Sequence, residues 1–309
     1  MNKIEFGDCR EIMRQWAKNG IKAQTCVTSP PYYGLRDYGH KGQIGLEETP
    51  EQYIAAMVEV FRCVWDVLED NGTLWVNIGD SYYNYRPGQG QALSKQTLAN
   101  SNQDLPQTCA RRGNKLDGLK EKDLIGIPWM LAFALRADGW HLRQDIIWHK
   151  PNPMPESVQD RCTKSHEYIF LLTKQKSYYY DIDSIKEPVK QDWGTRDRTE
   201  GKYHNEGSGL QPHAGLEKSY EMANKRSVWT VNTKPYAGAH FAVFPQELIE
   251  PCIMAGAPVG GIVLDPFMGS GTTAQVAQDL GRRYLGCELN LDYKKLQDKR
   301  LRQLSLDLV

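Results

Sequence analysis

The chain has 309 residues, 40% of them apolar, and its 38 basic and 38 acidic side chains cancel to a formal charge of +0. That length supports one large domain with elaborations or two small ones. No run of about 18 apolar residues offers a membrane span, and the even charge balance leaves any nucleic-acid contact to local basic patches. Seven cysteines, none in a C-x-x-C pair, suit free thiols in a reducing cytoplasm better than disulfides or a zinc site, and the first residues, Met1 to Phe6, lack a signal-peptide core.

Strand and helix patterns alternate from the start. Lys3–Asp8 reads as a short strand, and Arg10–Lys18 as a helix with Ile12, Met13 and Trp16 at helical spacing. Gln24–Ser29 is the next strand. In Thr49-Pro50-Glu51-Gln52 the Thr is an N-cap, the Pro sits in the first turn, and the Gln closes a capping box. The helix this predicts carries Tyr53, Met57, Phe61, Val64 and Leu68 on one face and stops at Asn71-Gly72. Thr73–Gly79 predicts a buried strand, and Ile127–Ala137 a helix ended by Asp138-Gly139. Arg143–His149 and Glu167–Thr173 are further strands. Pro245–Ala255 reads as a helix, Gly261–Leu264 as a strand, Thr272–Leu280 as a helix, Tyr284–Glu288 as a strand and Asp292–Leu304 as the last helix. Such alternation predicts an α/β fold around a mostly parallel sheet.

Two stretches break the rhythm. Residues 86–123 contain no aromatic side chain and are rich in Gln, Asn, Gly and Ser; a segment this long is either functional or a solvated insertion. Residues 187–227 are also polar, but Arg196, Arg198, Lys202, Lys225 and Arg226 lie among Trp193, Tyr203 and Trp229. Basic side chains interleaved with aromatic rings suit contact with phosphates and bases, so this region is a predicted substrate-recognition segment, with a solvated insertion as the alternative.

Two short motifs carry the chemistry. Val263-Leu264-Asp265-Pro266-Phe267-Met268-Gly269-Ser270-Gly271-Thr272-Thr273 is an apolar strand, a glycine turn and a helix start. Glycines there allow a tight turn and close approach of a ligand to the main chain, while the helix N–H groups face its polar part. A dinucleotide fingerprint would need a third glycine where Ala274 stands, and no Gly-Lys-Ser/Thr follows to make a phosphate loop. Glu288 closes the next predicted strand, where an acidic side chain can accept from ribose hydroxyls. A nucleoside-bearing cofactor without a phosphate tail fits this pair. The second motif, Thr28-Ser29-Pro30-Pro31-Tyr32, ends its strand in a rigid corner of hydrogen-bond acceptors beside an aromatic ring. Ligands of parallel sheets sit where strand ends part, so both turns can face one crevice.

Asp-Pro-Phe-x-Gly-Ser-Gly-Thr-Thr resembles the S-adenosylmethionine loop of DNA amino-methyltransferases, and Thr-Ser-Pro-Pro-Tyr resembles their catalytic motif. With the catalytic motif first, the order resembles the circularly permuted β group. Gly7-Asp8-Cys9, Asn71-Gly72-Thr73-Leu74-Trp75, Trp148-His149-Lys150-Pro151-Asn152 and His166-Glu167 extend the match. The resemblance implies a Rossmann-like, mostly parallel sheet of the methyltransferase type, with helices on both faces and inserted recognition segments. It divides the chain into a catalytic part (1–174, with the polar insertion at about 86–123), a target-recognition region (175–235) and a cofactor-binding part (236–309). It also implies S-adenosylmethionine as cofactor and duplex DNA as partner, and it admits a homodimer.

By the same resemblance Asp265, Gly269 and Gly271 line the methionine and ribose end of the cofactor, with Thr272 and Thr273 at the helix start. Pro266, Phe267, Ser270 and Thr28 complete that set. Glu288 holds the ribose hydroxyls, Asp8 lies beside the adenine ring at the end of the first strand, and Phe244 belongs to a segment covering the methionine moiety.

An exocyclic amine is a poor nucleophile because its lone pair is delocalised into the ring. Acceptors aimed at its two protons favour a more tetrahedral nitrogen, and the Ser29 hydroxyl and Pro30 carbonyl are suitable, with Pro30 and Pro31 fixing their direction. Tyr32 can stack on a base turned out of the duplex, with Tyr33 beside it. No metal is required. Pro251-Cys252 invites the reading of a cysteine nucleophile, but Cys252 shares a helix face with Leu248, Ile249 and Ile253, where a small apolar residue is ordinary. His149 and His166 near strand ends read as structural. Ser29 in place of Asp leans toward cytosine N4 over adenine N6 within the family, although both amines present the same two protons. The rival readings are a methyltransferase of RNA or of protein glutamine, whose corner resembles Asn-Pro-Pro-Tyr, and a non-catalytic DNA-binding regulator.

Overall fold

The computed structural model describes residues 2–35, 40, 42–83, 118–189, 221–233 and 244–302. β1 (Lys3–Phe6) ends two residues earlier than predicted, because Asp8 opens α1 (Cys9–Lys18). Its carboxylate accepts the Arg10 N–H at 2.8 Å, and Gly7 makes the bend at φ 145°. After β2 (Ala23–Thr28) comes α2 (Pro50–Val67), capped by Thr49, whose hydroxyl accepts the Gln52 N–H at 3.2 Å. The Gln52 side chain returns to the Glu48 N–H at 3.1 Å, one residue before the position a capping box prescribes.

α2 does not run to Asn71-Gly72. It stops at Val67, and β3 (Leu68–Ile78) begins at once. Leu68 pairs with Ala23 and Thr73 with Thr25, so the residues between them form a bulge. Gly72 closes it: a Cβ there would meet Leu68 Cγ at 2.6 Å and the Gln24 carbonyl at 2.8 Å. The pair that reads as a helix stop is therefore a strand irregularity.

α3 (Ile127–Ala137), β4 (His141–His149) and β5 (His166–Thr173) follow as predicted to within two residues. β6 (Glu187–Pro188) and β7 (Met222–Ala223) form a small antiparallel pair at the two ends of the polar stretch, and β8 (Val228–Thr230) leaves it to join the main sheet. Strands of two or three residues leave no periodic trace in a sequence. α4 (Gln246–Gly256), β9 (Ile262–Asp265), α5 (Thr272–Asp279), β10 (Arg283–Glu288) and α6 (Tyr293–Arg302) complete the chain. Most of the 86–123 insertion and residues 190–220 lie outside the described residues.

Among the described residues the main sheet has eight strands in the order β1-β10-β9-β2-β3-β5-β4-β8, and only β5 runs against its neighbours. α1, α2 and α3 bury Met13, Trp16, Met57, Phe61 and Leu131 on one face; α4 and α5 bury Leu248, Ile253 and Ala277 on the other. Both faces are thus covered, as a mostly parallel sheet requires. No described helix is long and apolar enough to cross a membrane.

Candidate active site

β2 and β9 are adjacent and parallel, with Cys26 opposite Leu264, so the two motifs emerge side by side. Beyond that pair the Thr28 hydroxyl donates to Asp265 Oδ1 at 2.6 Å, across 237 positions of sequence. The same carboxylate accepts the Thr273 hydroxyl at 2.6 Å and the Phe267 N–H at 3.0 Å. Asp265 is 2% exposed, and burial pushes its carboxyl up to about 6 against the pull of these donors. Its side chain therefore organises the loop from beneath.

The loop is tied down on the β10 side. Gly269 (φ 54°) donates its N–H to Glu288 Oε2 at 2.7 Å and accepts Gln297 Nε2 at 2.7 Å on its carbonyl; Gly271 (φ 87°) caps α5. Met268 donates its N–H to the Cys287 carbonyl at 2.9 Å and lies over Gly286, the position on β10 with no side chain to obstruct it. Glu288 Oε1 accepts the Asn290 N–H at 2.8 Å, and burial raises this carboxyl too. The Thr272 hydroxyl accepts from Arg300, Pro266 is buried, and Phe267 packs half-buried against the core on the α1–α3 face.

This cradle fits the nucleoside cofactor that the motifs imply. A Cβ added to Gly269 would meet nothing nearer than the Phe267 carbonyl at 3.9 Å, so the loop is open on that side. Ser270 is 2% exposed, and its hydroxyl has no partner among the described residues. A buried hydroxyl left unpaired is costly, and a polar ligand group in the loop would satisfy it. Gly7 donates its N–H to the Glu288 carbonyl at 2.8 Å, bringing Asp8 to the same end of the sheet, where Arg10 holds the Asp8 carboxyl below its ordinary range. Phe244 packs half-buried against the core on the α4–α5 face; His240 to Val243 lie outside the described residues.

On the other side of the Thr28–Asp265 contact, Ser29 and Pro30 continue directly from β2. Tyr53, buried in α2, donates its hydroxyl to the Pro31 carbonyl at 2.9 Å and so anchors the corner. The Tyr32 ring lies on Gly79, where a Cβ would meet Tyr32 Cε2 at 2.7 Å. Its hydroxyl donates to Glu167 Oε2 at 2.7 Å, with Asn77 Oδ1 at 3.3 Å, and Lys150 pairs with the other Glu167 oxygen. The sequence contains Lys150 and Glu167 only as matching segments without a role; Asn77 and Gly79 gave no signal beyond their strand.

Tyr33 does not join the corner: it is 2% exposed, and its ring packs against Tyr53 at 5.5 Å. Cys252 is buried, donates to the Leu248 carbonyl, and is pushed up by burial, so it is a core residue and no nucleophile. His149 bonds to Thr230 and His166 packs edge-on to Tyr168. Among the predicted DNA contacts, Lys225 lies over the Trp229 ring at 5.2 Å and Arg226 pairs with Glu187. Arg196, Arg198 and Lys202 fall outside the described residues.

A covered, mostly parallel sheet with a single reversed strand, a glycine turn after one strand and Ser-Pro-Pro-Tyr after its neighbour define a methyltransferase of the Rossmann-like class. The chain belongs to the N6/N4 methylase family, whose model, described as DNA methylase, matches residues 23–299. It is 46% identical over 302 residues to the Type II methyltransferase M.SmaI of Serratia marcescens, covering 97% of this chain and 90% of that one. It is also 46% identical over 295 residues to M.Cfr9I of Citrobacter freundii, covering 96% and 86%. In fold it resembles the PvuII cytosine-N4-specific DNA methyltransferase at TM-score 0.60, 15% identity and 97% and 86% coverage. A putative DNA modification methylase of Thermus thermophilus complexed with S-adenosyl-L-methionine gives TM-score 0.58, 23% identity and 98% and 94% coverage.

Proposed function

We propose that this chain moves the methyl group of S-adenosylmethionine to an exocyclic amino nitrogen, adenine N6 or cytosine N4, of a base turned out of duplex DNA. The observation that carries this reading is the 2.6 Å Thr28–Asp265 bond, which sets the acceptor corner beside the cofactor loop. Bound there, the cofactor supplies an electrophilic methyl group on a sulfonium.

The chain's own groups do the aligning. Glu288 accepts from the ribose hydroxyls, the open side of Gly269 receives the methionine part, and Asp8 and Phe244 border the two ends. Ser29 Oγ and the Pro30 carbonyl take the two amine protons and turn the nitrogen lone pair toward the loop. Tyr32 supports the extruded base with its ring. Lys225 and Arg226, together with Arg196, Arg198 and Lys202, contact the DNA backbone in a target-recognition region at 175–235, between a catalytic part and a cofactor part of one core. Arg226 would then exchange Glu187 for phosphate. The enzyme works in the cytoplasm, where its free thiols stay reduced, and the family resemblance admits a homodimer.

Sequencing that reports modified bases, on DNA from cells expressing the chain, tests this and names both base and site. N6-methyladenine or N4-methylcytosine within one short sequence supports the reading. Labelled cofactor offered in parallel to duplex DNA, RNA and protein covers the rivals: label in RNA or protein, or cofactor binding without turnover on any DNA, overturns it.

A further inference from the structure

Gly269 is held at both of its peptide groups, and the second hold comes from a helix outside the loop. Its N–H donates to Glu288 Oε2 on β10 at 2.7 Å, and its carbonyl accepts Gln297 Nε2 on α6 at 2.7 Å. Gln297 is 2% exposed, and of the described side chains of α6 it alone is fully buried. A buried amide is costly unless it is bonded, so packing alone would be better served by an apolar side chain there. On the same face of α6, three positions on, Arg300 donates to the Thr272 hydroxyl. A Cβ at Gly271 would meet Gln297 Cγ at 3.4 Å, so α6 packs directly on the loop backbone.

A side-chain amide can meet a carbonyl only through its NH2 group, which fixes the direction of the Gln297 bond. In a planar trans peptide the C=O and N–H point to opposite sides. The Gly269 carbonyl is drawn to α6, so the N–H of Ser270, in the same peptide, faces away from α6. The Ser270 hydroxyl is buried without a partner among the described residues. An N–H and a hydroxyl on one residue make a pair of donors suited to a carboxylate, the group that ends the methionine part of the cofactor. The nucleoside end is fixed separately, because Glu288 Oε1 holds the Asn290 N–H at 2.8 Å independently of Gln297.

We propose that Gln297 is a positioning residue for the cofactor: it sets the Gly269–Ser270 peptide so that Ser270 offers its donors to the carboxylate of S-adenosylmethionine. α6 thereby governs affinity for the amino-acid part of the cofactor and not for its nucleoside. The inference rests on the methyltransferase reading above and adds to it a residue from outside the loop.

The test is ligand binding to the full chain. Calorimetry measures S-adenosylhomocysteine, and displacement of that ligand measures 5′-methylthioadenosine, which keeps the nucleoside and sulfur but lacks the carboxylate. Gln297→Met keeps the length of the side chain and loses the donor. It weakens S-adenosylhomocysteine by about tenfold, the scale of one lost hydrogen bond, and leaves 5′-methylthioadenosine within about twofold. Gln297→Glu sets a charge against the Gly269 carbonyl and weakens S-adenosylhomocysteine at least as much, with the same split between the ligands. Wild-type affinity for S-adenosylhomocysteine in Gln297→Met would overturn the inference. Equal losses for the two ligands would overturn it too, since Gln297 would then support the whole site. Should thermal unfolding show that Gln297→Met does not fold, the same outcomes are read from Gln297→Glu. A wild-type chain that binds no S-adenosylhomocysteine sinks the functional reading itself, before any variant is compared.

Discussion

The hydroxyl of Thr28 donates to the carboxylate of Asp265 at 2.6 Å, so the last residue of β2 is bonded to the last residue of β9. The strand that delivers Ser29 and the strand that delivers the glycine loop are therefore fixed to each other at the point where both turn. Any relative slide of donor and acceptor sites has to break this buried bond first.

Thr28→Val keeps the shape of that contact and removes the donor. Stability should fall by about 1–3 kcal/mol, the cost of leaving one acceptor of a buried carboxylate unpaired, as read from urea denaturation. Asp265→Ala strands the Thr28 and Thr273 hydroxyls and the Phe267 N–H together, and calorimetry should find cofactor binding abolished. Normal affinity in Asp265→Ala would show that the loop holds its form without this anchor.

Asp265 also gives a pH signature. Its carboxyl is raised by burial from 3.8 to about 6. Between those values the folded chain binds more protons than the unfolded one, so this residue's contribution to stability is largest in acid and declines as pH rises to about 6. Glu288 is shifted the same way, which makes the difference between wild type and Asp265→Asn the informative quantity. Denaturation curves across this window should show a shallower decline in the variant. Identical slopes would place the Asp265 titration elsewhere.

Ser29→Ala should lower turnover about a hundredfold, the order seen when one preorganised polar partner of a transition state is removed, and leave cofactor affinity largely intact. Tyr32→Ala should also lower turnover strongly at unchanged cofactor affinity, and it should raise KM for DNA as well. Equal loss of turnover and cofactor binding in either variant would contradict the division of labour between the two corners.

Two glycines separate those corners by substitution. A Cβ at Gly79 runs into the Tyr32 ring, and one at Gly286 runs into Met268 beneath the cofactor loop. Gly79→Ala should depress kcat while calorimetry finds the cofactor bound as before; Gly286→Ala should weaken cofactor binding first. The reverse pattern would mean that the loop and the corner are not independent parts.

Much of this was legible in sequence because it rests on local rules. Thr49 and Pro50 announced α2, the glycines of the loop announced a strand-to-helix turn, and the alternation of elements announced a mostly parallel sheet. What stayed hidden depends on who the neighbour is. Asn71-Gly72 looks like a helix stop until β2 is placed alongside, where Gly72 is the residue that admits the Gln24 carbonyl. Asp265 looks like a ligand group, yet its carboxylate is occupied by Thr28, Thr273 and Phe267, and only the β2–β9 pairing shows it. Tyr33 reads as a partner of Tyr32, but the next residue of an extended turn points the other way, into the core beside Tyr53. Lys150 and Glu167 lie on opposite arms of a hairpin, and nothing in the sequence says that its end rests against Tyr32.

The most direct measurement is a crystal structure of the chain with S-adenosylhomocysteine. The account predicts the ribose hydroxyls on Glu288 and the sulfur above the open side of Gly269, facing Ser29 across a gap that a nucleobase can enter. A ligand seated away from Gly269 and Glu288, or a sulfur turned from Ser29 with protein filling the space between, would contradict it.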